Sequence, residues 1–138
     1  MASILKVDDL RGNTAAGNIT ITSEGGSATM QLQQGLAKAW IVYDQANTNV
    51  DNSLNSSSVT DNSTADFTRN HTSSFSSVSY TNTGGGSFNG SDAAGTDALG
   101  HRHKAPTTSS VRMLTNYGSS GGALDWEFNS IESNGDLA

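Results

Sequence analysis

The segment Ala123–Ser133 places the tightest constraint on this chain: Leu124, Trp126 and Phe128 alternate with Asp125, Glu127 and Asn129. A period of two puts the apolar side chains on one face of an extended strand and the polar ones on the other. Ile131 falls out of phase with that alternation, which predicts a bulge between Phe128 and Ile131. The pattern recurs in shorter form in Asn18–Thr22, where Ile19 and Ile21 alternate with Thr20 and Thr22. β-Branched and aromatic residues cluster again over Lys38–Asp44, Leu54–Thr60, Ala65–Arg69 around Phe67, Phe75–Tyr80, and Thr107–Asn116 around Val111 and Met113. Turn-forming runs separate them: Glu24–Ser27, Asn47–Asn52, Asp61–Ser63 and Gly118–Gly122. Short strands with turn signals every ~8–12 residues specify an all-β fold, here a small antiparallel β-sandwich, jelly-roll-like.

Two segments read less simply. Leu32, Leu36 and Trp40 recur at helical spacing, but Gly35 costs a helix about 1 kcal/mol relative to Ala, so Met30–Leu36 reads as a strand or a short helix. In the strand Lys38–Asp44, Trp40 and Val42 face one side and Ile41 and Tyr43 the other. Two apolar faces call for cover on both, from the strand's own domain and from a neighbouring chain. On this reading Trp40 is a buried residue. Residues 82–105 hold Gly84, Gly85, Gly86, Gly90, Gly95 and Gly100 and read as one long loop. The organisation expected is an extended N-terminal anchor segment, residues 1–35, followed by a sandwich domain, residues 36–138.

Such a domain needs a core, and the material for one is thin. Hydrophobic residues make up 33% and aromatic residues 7%, while 21 Ser, 15 Thr and 13 Asn together fill 49 of 138 positions. Ordering each residue costs about 1–2 kcal/mol of backbone entropy, which sparse apolar burial offsets poorly. Disordered chains are rich in Pro and charge, whereas this one has a single Pro and 14% charged residues. The consistent solution is an ordered β protein that borrows burial from identical neighbours, with Leu36, Trp40, Val42, Phe67, Trp126 and Phe128 as core or inter-subunit residues and a homotrimer as the expected assembly. At the front, Ile4, Leu5, Val7 and Leu10 form an apolar patch that suits docking on another protein, or else an ordinary edge strand.

Charge and motif content exclude several function classes. The net charge is −6, and the seven basic residues fall singly along the chain, so no phosphate-binding face for nucleic acid is expected. Without cysteine there are no disulfides or thiolate metal sites. The opening MASILKVDDLRG lacks the pattern of a secretory signal, and no apolar run is long enough for a membrane-spanning helix; assembly in a cytoplasm is expected. Five Asn-x-Ser/Thr triplets, at Asn18, Asn55, Asn62, Asn70 and Asn89, follow from composition.

Candidate chemistry is sparse. His101 and His103, two apart in a strand, could face one metal, and three chains on an axis would supply six ligands; flanking Arg102 and Lys104 oppose a cation. His71 reads as a polar turn residue. No Gly-x-Ser-x-Gly elbow frames a nucleophile, and Asp125 and Glu127 read as the solvated face of a strand. Asp61, Asn62, Asp66, Asp92 and Asp97 lack the spacing of a calcium loop. No enzyme activity and no cofactor are expected. Phe88, His101 and Tyr117 are candidates for a receptor-contacting loop; the rings of Tyr80, Phe88 and Tyr117 could stack on sugars, with plain core packing as the alternative reading.

The segments ASILKVDDLRGNTAAGNITITSEGG and LQQGLAKAW resemble the opening of tail-fibre and related virion structural proteins of marine phages of the cyanophage and pelagiphage type. The stretch Ser53–Thr68, SLNSSSVTDNSTADFT, is similar to a Ser/Asn-rich element of that family, and Ala123–Ala138 is similar to its closing strand. The chain departs at Asn62–Ala65, where the family carries glycines. The resemblance implies a virion location, trimeric fibre or spike architecture, other virion proteins as partners, and attachment to the host surface, a host glycan included; it implies no catalysis. A capsid decoration protein and a free carbohydrate-binding module remain as alternatives.

Overall fold

In the computed structural model, which describes residues 4–15, 18–22, 25–26, 28–87, 100–116 and 122–138, the chain falls into two compact units, Met1–Leu36 and Ala37–Ala138. In the first, Thr20–Thr22 (β1) and Thr29–Gln31 (β2) pair antiparallel with Ile21 opposite Met30. A 3-10 turn, Leu32–Gly35, follows directly, so Met30–Leu36 divides between the two conformations that its composition allows. No described side chain of this unit is buried. Ile4 and Leu5 are 79% and 76% exposed, and Leu36, expected in packing, is 53% exposed.

The second unit is all β. Its strands are Ala39–Asp44 (β3), Asn49–Leu54 (β4), Ser56–Ser63 (β5), Asp66–His71 (β6), Thr81–Ser87 (β7), Gly100–Lys104 (β8), Ser110–Asn116 (β9) and Phe128–Asn134 (β10). They form two four-stranded antiparallel sheets, ordered β4-β3-β10-β7 and β5-β6-β9-β8, packed as a sandwich. The described residues contain no α-helix.

Local chemistry explains the corners. The Asp44 carboxylate accepts hydrogen bonds from the Asn47 backbone (2.9 Å) and side chain (2.8 Å), an Asx turn that closes β3 on β4. Asn55, with φ of 53°, separates β4 from β5, and its side chain bonds both the N–H (2.6 Å) and the carbonyl (3.0 Å) of Ser73. Ala65, with φ of 63°, ends the β5–β6 corner, and its N–H donates to Asp125 at 2.6 Å.

Several sequence expectations shift here. Asn47–Asn52 is not simply a turn: from Asn49 it is strand, because pairing with β3 orders it despite its polarity. Asp61–Ser63 likewise belongs to β5, with the turn displaced to Thr64–Ala65. Phe75–Tyr80 forms no strand; Phe75 makes one bridge to Leu137, and Val78 points out, 53% exposed, while Tyr80 is buried. The last strand begins at Phe128 rather than Ala123 and runs in unbroken register with both neighbours, so the bulge expected before Ile131 is absent. Ile131 and Trp126 are both buried because Trp126 sits ahead of the strand. The irregularities lie instead at Val42/Tyr43 against β4 and twice in the β5–β6 pairing.

The largest revision concerns the glycines. Gly84, Gly85 and Gly86 lie in β7, opposite Ile131, Ser130 and Asn129 of β10. Gly84 and Gly86 therefore face the interior. A Cβ on Gly86 would come within 2.5 Å of the Trp126 ring, and one on Gly84 within 2.8 Å of His101 Nδ1. The missing side chains make room for an indole and an imidazole, and Gly85, facing outward, meets nothing.

The core is built from Ala39, Ile41, Tyr43, Phe67, Phe75, Tyr80, Val111, Met113 and Ile131. On β3 it is the Ile41/Tyr43 face that points inward. Trp40 and Val42 are half-buried on the outer face, so Trp40 is not a core residue of the single chain. Tyr43 lies 4.9 Å from Phe67, and Phe75 stacks on Tyr80 at 4.2 Å.

Candidate functional site

Seven of the eighteen buried residues described are polar or charged, and the largest of them is Arg69. The side chain is fully buried on β6. One terminal nitrogen donates to Ser133 Oγ and the other to the Ile131 carbonyl at 3.4 Å. Ser133 Oγ in turn donates to Asn82 Oδ1. No described carboxylate pairs with Arg69, and burial pulls its pKa down to about 10. A buried cation held only by neutral groups is costly.

His71, at the end of the same strand, is buried rather than a turn residue. It packs edge-on against Phe75 at 5.0 Å and Tyr80 at 5.8 Å. Among the described residues neither ring nitrogen has a hydrogen-bond partner. Burial first, and Arg69 second, push its pKa down to about 4, so it is neutral at ordinary pH.

His101 and His103 do share a side of β8, opposite Thr115 and Met113, as their spacing requires. They do not form a ligand pair. His101 Nε2 is 3.0 Å from Asn129 Oδ1. Asn129 Nδ2 donates to the Tyr43 and Trp126 carbonyls at 3.0 Å each, which fixes its oxygen as the acceptor and leaves Nε2 as the donor. The imidazole also packs on Trp126 at 4.7 Å. Burial lowers the pKa of both histidines. Among the described residues no three His, Cys, Asp or Glu side chains are grouped to hold a metal. Tyr80 is buried and His101 is half-buried on β8 against Trp126, neither of them in a loop, and Phe88 and Tyr117 lie outside the described residues.

The outer surfaces are the remaining candidates, and they differ. The first sheet leaves apolar groups uncovered: Trp40 lies opposite Leu54, Leu54 is 47% and Phe128 44% exposed, and Val42 is half-buried. Phe67 and Trp126, by contrast, are fully buried. The second sheet shows a polar face. Across it run Ser63, Asp66, Leu114 and Arg102 in one row and Thr60, Thr68, Arg112 and Lys104 in the next. Asp66 is clamped by Arg112 through two charge-assisted bonds, one from Nε at 2.7 Å, and accepts another from Asn62 at 3.1 Å. The Arg112 bond holds its carboxyl below the usual range. An open depression of about 140 Å³ lies at this end, lined among others by Ser63, Asp66, Arg102, Leu114 and Asn116.

Thus three of the seven basic residues, which look scattered in sequence, gather on one sheet face. The i, i+2 spacing of Arg102 and Lys104 was the legible signal; Arg112 joins them only through register. No family model, no curated protein and no solved structure matches the chain.

Proposed function

We propose that this protein is a virion structural protein of the phage tail-fibre or spike type, a jelly-roll-like sandwich with an N-terminal anchor, assembling as a homotrimer and mediating attachment to the host surface. The observation that carries the reading is the uncovered apolar surface of the single chain. Ile4, Leu5, Val7 and Leu10 of the first unit are 79%, 76%, 53% and 49% exposed. Exposed apolar residues in sequence, on a unit with no buried side chain among its described residues, support the reading of a surface that another chain covers. Trp40, Val42, Leu54 and Phe128 add a second such surface on the sandwich. The sequence resemblance to marine phage fibre proteins supplies the virion setting, and the polar sheet supports a surface that stays wet.

Light scattering of the purified protein at micromolar concentration tests the assembly: a trimer is expected, and a monomer alone overturns it. Deleting residues 1–12 should leave the sandwich folded and prevent incorporation into particles; normal incorporation removes the anchor role. Copy number on purified particles separates a fibre, with a few to a few dozen copies, from a capsid decoration protein, with hundreds.

A further inference from the structure

Lys104 stands directly opposite Arg112 on the outer face of β8 and β9, with Arg102 two residues along. Like charges directly opposite on a sheet destabilise it. Asp66 forms an ion pair with one of the three, Arg112, and acts on Lys104 only through space; Arg102 and Lys104 form no ion pair with a described carboxylate. Among the described residues this face therefore carries three cations against one carboxylate, on a chain whose net charge is −6. A chain that is acidic overall and still concentrates cations on one exposed face has local need of an anion.

We propose that this face binds an anionic polysaccharide, with Arg102 and Lys104 taking the acid groups. The proposal deepens the attachment reading above by naming the ligand class and the site. Around the cations the face is hydroxyl and amide: Ser58, Thr60, Thr68, Asn70 and Ser110 line it in register, groups that exchange hydrogen bonds with sugar hydroxyls. The depression beside Arg102 is lined by apolar Leu114 and Ala65 as well as by Ser63 and Thr64, a setting for the apolar face of one sugar ring. Asp66 is buried and its oxygens are taken up by Arg112 and Asn62, so it holds Arg112 in place and leaves the ligand to Arg102 and Lys104. Two unpaired cations suit a polymer with well-spaced carboxylates or sulfates. They fall short of the several phosphate contacts that hold a nucleic acid, and none of these face residues is an aromatic ring that could stack a base.

The test is affinity electrophoresis in gels containing polygalacturonate, dextran sulfate or neutral dextran. The wild-type protein should be retarded by at least one of the charged polymers, less so as salt rises, and not by neutral dextran. The Arg102→Gln/Lys104→Gln variant should bind at least ten-fold more weakly with a melting temperature equal to or above that of wild type, since it removes the like-charge pair. Lys6→Gln/Arg11→Gln, the same change in net charge elsewhere, should stay within two-fold of wild type. Equal loss in both variants, no retardation by either charged polymer, or preferential binding of duplex DNA or anionic vesicles through Arg102 and Lys104 overturns the proposal. Light scattering separates it from the trimer reading. If Arg102→Gln/Lys104→Gln breaks up the assembly, the face is an interface between copies and the proposal fails. If the wild type is monomeric yet binds polygalacturonate through these residues, the proposal stands and the trimer falls.

Discussion

The two units of this chain draw on the same kind of sequence and reach opposite ends. Met1–Leu36 contains Ile4, Leu5, Val7, Leu10, Ile21, Met30 and Leu36, all exposed, and buries no described side chain. Ala37–Ala138 buries Ile41, Tyr43, Phe67, Phe75, Met113, Trp126 and Ile131 to within 2%. The difference is layers. Among its described residues the first unit holds one two-stranded ribbon of three residues per strand and no second sheet of its own, and such ribbons are marginal alone. Eight strands in two sheets enclose a core. Apolar residues alone therefore do not make a core.

Mutations can break or sharpen that contrast. The largest effect should come from Trp126→Ala, fully buried against Gly86 and His101: a loss of about 3–5 kcal/mol is expected, read by urea denaturation. A loss below 1 kcal/mol would mean that the indole does not hold the sandwich. Gly86→Ala should cost about 1–3 kcal/mol or more through overpacking, whereas Gly85→Ala, next door and facing outward, should cost far less. Equal effects would refute the assigned faces of β7.

Acid comes next. His71 has a folded pKa of about 4, against about 6.5 in an unfolded chain. Between these values the unfolded state binds more protons, so stability is full above about pH 6.5 and falls as pH drops toward 4. His101 and His103, also lowered, act in the same direction. The thermal midpoint of wild type should fall across this window, and that of His71→Leu should fall less; parallel curves would exclude His71. Trp40→Ala should cost about 1 kcal/mol in a dissociated subunit, since its burial there is partial, and more in the assembled protein; a concentration-independent cost would show that no partner covers it. Leu5→Asp, smallest of all, should change subunit stability by under about 0.5 kcal/mol while weakening the trimer seen by light scattering.

Much of the fold was legible locally. Strand character at Ala39–Asp44, Asp66–His71 and Ser110–Asn116 follows from β-branched and aromatic clusters. The glycine-rich segment misled because Gly-Gly-Gly normally signals a loop; here Gly84 and Gly86 are small for the benefit of Trp126 and His101, which are distant in sequence. Asn49–Leu54 misled because a polar edge strand has no apolar signature of its own. Of the site, only the pairs His101/His103 and Arg102/Lys104 could be read, each as two residues sharing a side.

What the residue order settles alone is periodicity: alternation is a property of the extended backbone, so an all-β chain with a lean core was determined before any contact formed. What covers each face is a long-range matter. Only the packing of two sheets decided that Ile41 and Tyr43 go inward while Trp40 stays half outside, that Arg69 and His71 are shut in with no described carboxylate beside them, and that cations from two strands share one surface. Register across β6, β9 and β8 joins residues dozens of positions apart, and no local rule encodes that pairing.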